Sequence, residues 1–500
     1  MIHLRSRSAA RWVRGGALAV SGAALVAAVV STVRRRGRRG EGRLPVSRTG
    51  RAARNIELAR LGAGVGSTFA ATGARKLFAS AERRVELDDE RRLRTAEQIA
   101  ERLGHMKGAM MKIGQMASYL DDGLPEPVRL ALAELQSNAP PMSGDLAAEV
   151  ITEELGAPPE KIFVEWDPEP IAAASIGQVH RAVIIDEHTG RERAVAVKVQ
   201  YPGVADAIAA DLRNTDLLGM FLSQTFSSLD PAEMVAEIKE RLTEELDYVK
   251  ERENQQRFVD FYRGHPLISV PELIPSLCTS RVLTTELVIG APWAEALTWD
   301  QHERDLIGET LFRFVFRSLY RMRAFNGDPH PGNYLFHGDG RMTFLDFGLV
   351  RYFSSEEIAL FGGLVKAAAL DHDPAAFRRL VETGGLLRPG APVSTEDVGE
   401  YFYDFYAPVG EDSPMTWTKE YASGIVRHTF DRTSPIAQYA TVPRTFVFIQ
   451  RINLGLYALL GDLGATGNYR RVAEELWPFT NGQPSTPMGV LEQGWLDAGR

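Results

Sequence analysis

Apolar and polar positions follow one period at the start of the chain and another in its middle. From about residue 87 to 120 the apolar residues recur at spacings of three and four. Leu103, Met106, Met110, Ile113, Ala117 and Leu120 form one stripe, which predicts an amphipathic helix. Leu124-Pro125-Glu126-Pro127 ends it, and Asn138-Ala139-Pro140-Pro141 closes the next helical stretch. Residues 161–166, 177–185 and 193–200 then read as short strands, with a turn at 186–190 that makes the last two a hairpin. Asp230 as cap, Pro231 in the first turn and Glu233 three residues after the cap predict a long helix reaching towards Phe258. Residues 269–270 and 281–288 read as further strands. After Ile289-Gly290 the pattern is helical except for a hairpin near 334–346. The sum is an α+β chain: a small β-rich lobe, then a helical lobe, with a site between them.

Composition adds little to that picture, but charge adds a division. The chain has 500 residues, long enough for two lobes plus extensions. Cys278 is its single cysteine, which excludes an internal disulfide and a cysteine-based zinc cluster. The net charge of −8 is uneven: residues 1–60 carry +12 and the remainder −20. A basic head on an acidic body is not the pattern of a nucleic-acid-binding domain, so no nucleic-acid partner is expected. Within the head, residues 15–33 are uncharged and flanked by Arg11 and Arg14 before and Arg34, Arg35, Arg36, Arg38 and Arg39 after. That length suits a spanning or anchoring helix, and the heavier charge on its far side predicts a cytoplasmic body. Residues 40–55 read as a linker.

Two segments carry candidate chemistry. In 194–199, Val195, Val197 and Val199 share one strand face; Ala196 and Lys198 share the other. A lysine on a largely buried strand needs an anionic partner. The second segment runs from Asp328-Pro329-His330-Pro331-Gly332-Asn333, through the turn His337-Gly338-Asp339-Gly340, to Asp346-Phe347-Gly348. If the hairpin closes at Phe336 and Arg341, Asn333 stands beside Phe344 and Asp346 lies at the same end. Asp328 is on the loop feeding that end. Two carboxylates and an amide oxygen converging there would suit magnesium with a phosphate.

A strand lysine, then Asp-x-x-x-x-Asn, then Asp-Phe-Gly is the order of parts in the protein-kinase fold. The chain resembles one branch of it, the ABC1/UbiB atypical kinases, also called the ADCK or COQ8 group. Lys112-Ile113-Gly114-Gln115 matches that family's Lys-x-Gly-Gln signature. Ala172-Ala173-Ala174-Ser175 matches its alanine-rich loop, followed here by Gly177. Glu245-Leu246-Asp247-Tyr248 matches its Glu-x-Asp segment, 281–290 its hinge strand and 328–333 its catalytic loop.

The resemblance implies a bilobal kinase-like fold with an N-terminal helical extension. Expected divisions are 1–45 (basic head and membrane segment), 46–145 (extension), 146–290 (N-lobe), 291–480 (C-lobe) and 481–500 (C-terminal tail). It implies ATP and Mg2+ as cofactors. Lys198 and the loop 172–175 with Gly177 would hold the phosphates. Glu286 to Val288 would be the hinge beside the adenine, Asn333 and Asp346 the metal ligands, and Asp328 the catalytic base. The helix bearing Lys112 and Gln115 would lie across the substrate entrance. Lys198 also needs a glutamate: Asp247 and Glu251 share a helix face at i,i+4. Glu251 is favoured for Lys198, and Glu245 or Asp247 for Lys112.

Asn326-Gly327 stands where kinases keep His-Arg, so the strength of the Asp328 base is open. Residues 349–353 separate Gly348 from the capping box Ser354-Ser355-Glu356-Glu357. Five residues cannot form a segment that seats a polypeptide. A protein substrate is therefore disfavoured, and the resemblance implies a kinase or ATPase supporting membrane lipid (isoprenoid quinone) biosynthesis. Its partners would be ATP, a lipid or quinone-precursor ligand, the membrane and quinone-biosynthesis enzymes. The alternatives are an ATP-binding pseudokinase scaffold and a small-molecule kinase of the aminoglycoside type.

Overall fold

The computed structural model describes residues 143–206 and 243–499, apart from 174–175, 328, 431–435, 437 and 442. Lys112, Gln115, Ala174, Ser175, Asp328, the apolar run 15–33 and the stripe 103–120 lie outside the described residues. Among the described residues no helix is long and apolar enough to cross a membrane.

Helix α1 (Gly144–Leu155) precedes three long strands, β1 (Glu165–Ala173), β2 (Gly177–Ile185) and β3 (Glu192–Gln200). Helix α2 (Tyr248–Tyr262), β4 (Ile268–Ser269) and β5 (Val282–Glu286) follow. The first sheet is antiparallel in the order β1-β2-β3-β5. Its β2–β3 turn is built by Asp186, whose carboxylate accepts from the backbone of His188 and Thr189 while Gly190 takes φ +66°. On β3, Val195, Val197 and Val199 are fully buried against α1 and its neighbours, and Ala196 and Lys198 face the other way.

The expected strand over 161–166 is displaced towards the C-terminus. Pro159–Ile162 is a helical turn with proline at its start, and the strand begins at Glu165. Pro168 and Pro170 are tolerated because β1 is an exposed edge with bulged pairing to β2.

The remaining residues form the helical lobe. Helices α3 (Gln301–Arg317), α4 (Ser355–Val365), α5 (Pro374–Thr383), α6 (Thr395–Gly410), α7 (Lys419–Phe430), α8 (Arg444–Leu463), α9 (Tyr469–Leu476) and α10 (Pro487–Asp497) surround a large aromatic core. Short strands lie between α3 and α4: β6 (Ala324–Asn326), β7 (Tyr334–Phe336), β8 (Met342–Phe344) and β9 (Val350–Tyr352). β7 and β8 form the hairpin, with β4 parallel to β8 on its other side. The stretch 481–500, expected as a tail, carries α10.

Two local expectations shift. The long helix is not continuous through Asp247: α2 starts at Tyr248 and extends to Tyr262. The Asp247 carboxylate accepts the Lys250 N–H at 2.9 Å, so it caps α2 instead of lining its side. The hairpin pairs Phe336 with Met342 and Tyr334 with Phe344, one residue away from the expected register. Gly338, Asp339 and Gly340 all take positive φ, so the loop holds one more residue on the far side than a turn closed at Arg341. Asn333 consequently stands opposite Leu345, whose N–H donates to the Asn333 carbonyl at 2.9 Å.

Candidate active site

Lys198 is placed by β3, Glu251 by α2 and Asp346 by the exit of β8. The Lys198 ammonium donates to Glu251 Oε1 at 2.7 Å and Oε2 at 3.0 Å, and to Asp346 Oδ2 at 3.4 Å. It also sits 5.0 Å above the ring of Tyr248, the first residue of α2. Lys198 and Glu251 are 19% and 3% exposed, Asp346 32%. The pair is thus buried while the aspartate opens to solvent.

One ammonium faces two carboxylates. Burial opposes the charge on Lys198, but Asp346 and Glu251 hold its pKa well above the usual lysine range. Burial pushes the Glu251 carboxyl up to about 7, with Asp346 adding repulsion against the pull of Lys198. Burial likewise raises the Tyr248 phenol, so its hydroxyl stays neutral.

The Asp346-Phe347-Gly348 segment is held at each residue. Asp346 Oδ1 accepts the Gly348 N–H at 3.0 Å, and Asn326 donates to the Asp346 carbonyl. Asn254 donates to the Phe347 carbonyl at 3.0 Å and accepts from the Tyr352 hydroxyl at 3.0 Å. The Phe347 ring is fully buried, 4.7 Å from Phe258. Glu251, Asn254 and Phe258 lie on one stripe of α2, so one helix face holds both the lysine and the segment after it.

The link from Gly348 to α4 is a strand. β9 pairs with β6, the Gly327 N–H donates to the Leu349 carbonyl at 2.7 Å, and Phe353 N–H donates to Arg323. The Ser354–Glu357 capping box then opens α4, with both reciprocal bonds made. No free loop remains between Gly348 and Ser354.

Among the other expected site residues, Asn333 ends a 3-10 turn at the same hairpin end as Asp346. Gly177 begins β2, and a Cβ there would meet the Val199 backbone and the Tyr248 hydroxyl. Ala172 and Ala173 end β1 and are exposed. Glu286 donates its N–H to Glu272 and its carboxylate lies 3.5 Å from Arg193. Val288 is half-buried just before Ala291, whose backbone is bridged to Phe336. Glu245 is half-buried and its charge reaches Glu251. Asp247 is engaged in its cap.

Sequence reading gave no site role to Tyr248 or Asn326 and missed Asn254 and Tyr352. The available signal was Asn254, a polar residue three positions after Glu251 inside an otherwise packed helix stripe.

The fold agrees with comparisons to known proteins. A model of the ABC1 atypical kinase-like domain matches residues 134–379. The chain is 35% identical to the atypical kinase COQ8B, mitochondrial, of Rattus norvegicus over 55% of this chain and 51% of that protein. It is 29% identical to the atypical kinase COQ8, mitochondrial, of Saccharomyces cerevisiae over 68% of this chain and 67% of that one. A Mycobacterium tuberculosis protein, Rv3197, solved in complex with erythromycin, superposes with a TM-score of 0.57. It is 31% identical, over 79% of this chain and 98% of its own. The chain spans about half the length of several of the curated relatives it matches.

Proposed function

The chain belongs to the ABC1 atypical kinase-like family and has a kinase-like fold, and on that premise we propose that it binds ATP with magnesium and uses it for phosphoryl transfer or hydrolysis. The observation that carries this reading is the arrangement of one ammonium between two carboxylates, buried on the Glu251 side and open on the Asp346 side. Lys198 would neutralise the α/β-phosphates, and Glu251 would keep the ammonium aimed at them. The loop at 172–175 and Gly177 would close over the phosphates. Residues 286–288 would border the base.

The donor set fits a hard divalent cation: the Asp346 carboxylate is half-exposed and the Asn333 amide stands at the same hairpin end. Bound there, magnesium would offset phosphate charge as the terminal phosphoryl group leaves. Asp328 would orient the attacking oxygen, whether that belongs to water or to an acceptor.

The strand-locked link after Gly348 supports an acceptor other than a polypeptide. A small molecule, a lipid or water is therefore the proposed acceptor. Support of isoprenoid quinone biosynthesis is the proposed setting, with lipid, membrane and quinone-biosynthesis enzymes as partners. The run 15–33 is proposed as the anchor, with the body on the cytoplasmic side. The lobes are proposed to divide near 290, with Lys112 and Gln115 across the entrance.

The test is phosphate release from Mg-ATP by the full chain, with and without phospholipid vesicles. Turnover that disappears in Asp346→Asn is expected. Nucleotide binding with no turnover under either condition would replace the enzyme by an ATP-responsive scaffold.

A further inference from the structure

Helix α10 lies 130 residues or more beyond every residue of the candidate site, yet it touches the elements that carry two of them. Its buried face is Met488, Glu492 and Trp495. The Trp495 indole N–H donates to the carbonyl of Arg263, the C-cap residue just after α2, at 3.2 Å. The same ring lies against Tyr262 at 6.4 Å, nearly parallel, and edge-on to His265 at 4.6 Å. Glu492 accepts from Arg313 at 2.7 Å and Arg317 at 3.0 Å on α3, and from His265 just past α2 at 3.3 Å. Met488 closes on Gly340, the turn of the β7–β8 hairpin: a Cβ there would stand 2.7 Å from its terminal methyl.

We infer that α10 is a brace that positions Glu251 and Asp346 relative to one another, with Trp495 as its positioning residue. The end of α2 is fixed by Trp495 and His265; Glu251 rides on the same rigid rod about 18 Å away. The hairpin turn is fixed by Met488, and Asn333 and Asp346 lie at the opposite end of that hairpin. Holding one end of each element restricts axial slip at the other end. An ion pair that depends on a 2.7 Å contact is sensitive to such slip. His265 is not a switch in this device. Its Nδ1 accepts from the backbone of Leu267 and Ile268, which leaves the ring neutral with the proton on Nε2, facing Glu492.

The inference rests on the Mg-ATP reading for one of its two readouts. Trp495→Leu removes the indole N–H and the ring; Trp495→Phe restores the ring. Val398→Ala, in the buried face of α6, is the control for general destabilisation. Amide hydrogen exchange at 248–252 in the full chain is expected to quicken about tenfold in Trp495→Leu and less in Trp495→Phe. The Kd for Mg-ATP by calorimetry should rise about fivefold or more in the first variant. Val398→Ala should move neither. Wild-type-like exchange and affinity in Trp495→Leu, or equal changes in Val398→Ala, would overturn the brace. If wild type binds no nucleotide, the Mg-ATP reading fails and exchange alone decides the brace. If Trp495→Leu does not fold, Trp495→Phe carries both readouts.

Discussion

Two buried charge clusters among the described residues are built to opposite specifications. Around Glu492, Arg313 and Arg317 are essentially inaccessible, and the carboxylate is 1% exposed. Burial alone would raise its pKa, but hydrogen bonds from His265 and Arg317 and the charges of both arginines bring it well below the usual range. Glu309 and Glu475 complete the pairing of Arg313. Around Lys198 the same chemistry is left incomplete. Glu251 is pushed up to about 7, and Asp346 opens to solvent. A sealed cluster with a multiply paired carboxylate holds elements together. An open one with carboxylate to spare is ready for a cation and a polyanion.

The contrast predicts unequal costs. Glu492→Ala leaves two buried guanidinium groups without their shared partner. It should destabilise the chain by about 3–5 kcal/mol in denaturant unfolding. Lys198→Ala should cost about 1 kcal/mol or less at pH 7, because Glu251 neutralises by taking a proton. Equal losses in the two variants would break the comparison. Mg-ATP affinity should move the other way: Lys198→Ala lowers it roughly 10- to 100-fold, the worth of a charged hydrogen bond. Unchanged affinity by calorimetry would reject the phosphate role of Lys198.

The pH dependence follows from Glu251. Its folded pKa is raised from 4.5 to about 7, so the folded chain binds a proton that the unfolded chain has released. That stabilisation is complete below pH 4.5 and is lost as pH rises through about 7. His265, held neutral by burial, acts in the opposite sense: its contribution is lost as pH falls below 6.5. Wild-type minus Glu251→Gln stability should therefore decline between those limits, isolating the Glu251 component. A difference that stays flat would contradict the raised carboxyl. The smallest effect is expected for Asp346→Asn without nucleotide, within about 1 kcal/mol, since the repulsion it removes from Glu251 is offset by the attraction to Lys198 that it loses.

Local geometry was legible in the sequence wherever one element sufficed. The β2–β3 turn, the alternation on β3 and the Ser354 capping box each depend on neighbouring residues. The hairpin register was readable to within one residue; Asp339 in the left-handed region accounts for the offset. What escaped needed distant partners. Asp247 looked like a helix-face carboxylate and became a cap once the chain broke at that residue. Asn254 finds its partners only when the Asp346-Phe347-Gly348 segment folds back on α2. Glu492 reads as an ordinary surface acid, because Arg317 is 175 positions away.

The most direct measurement is calorimetric titration of ATP, with and without magnesium, into wild type and Asp346→Asn. Magnesium-dependent binding in wild type, weakened about tenfold or more in the variant, is the predicted result. Equal affinity in both proteins, or indifference of wild type to magnesium, would contradict the assignment of this cluster to Mg-ATP.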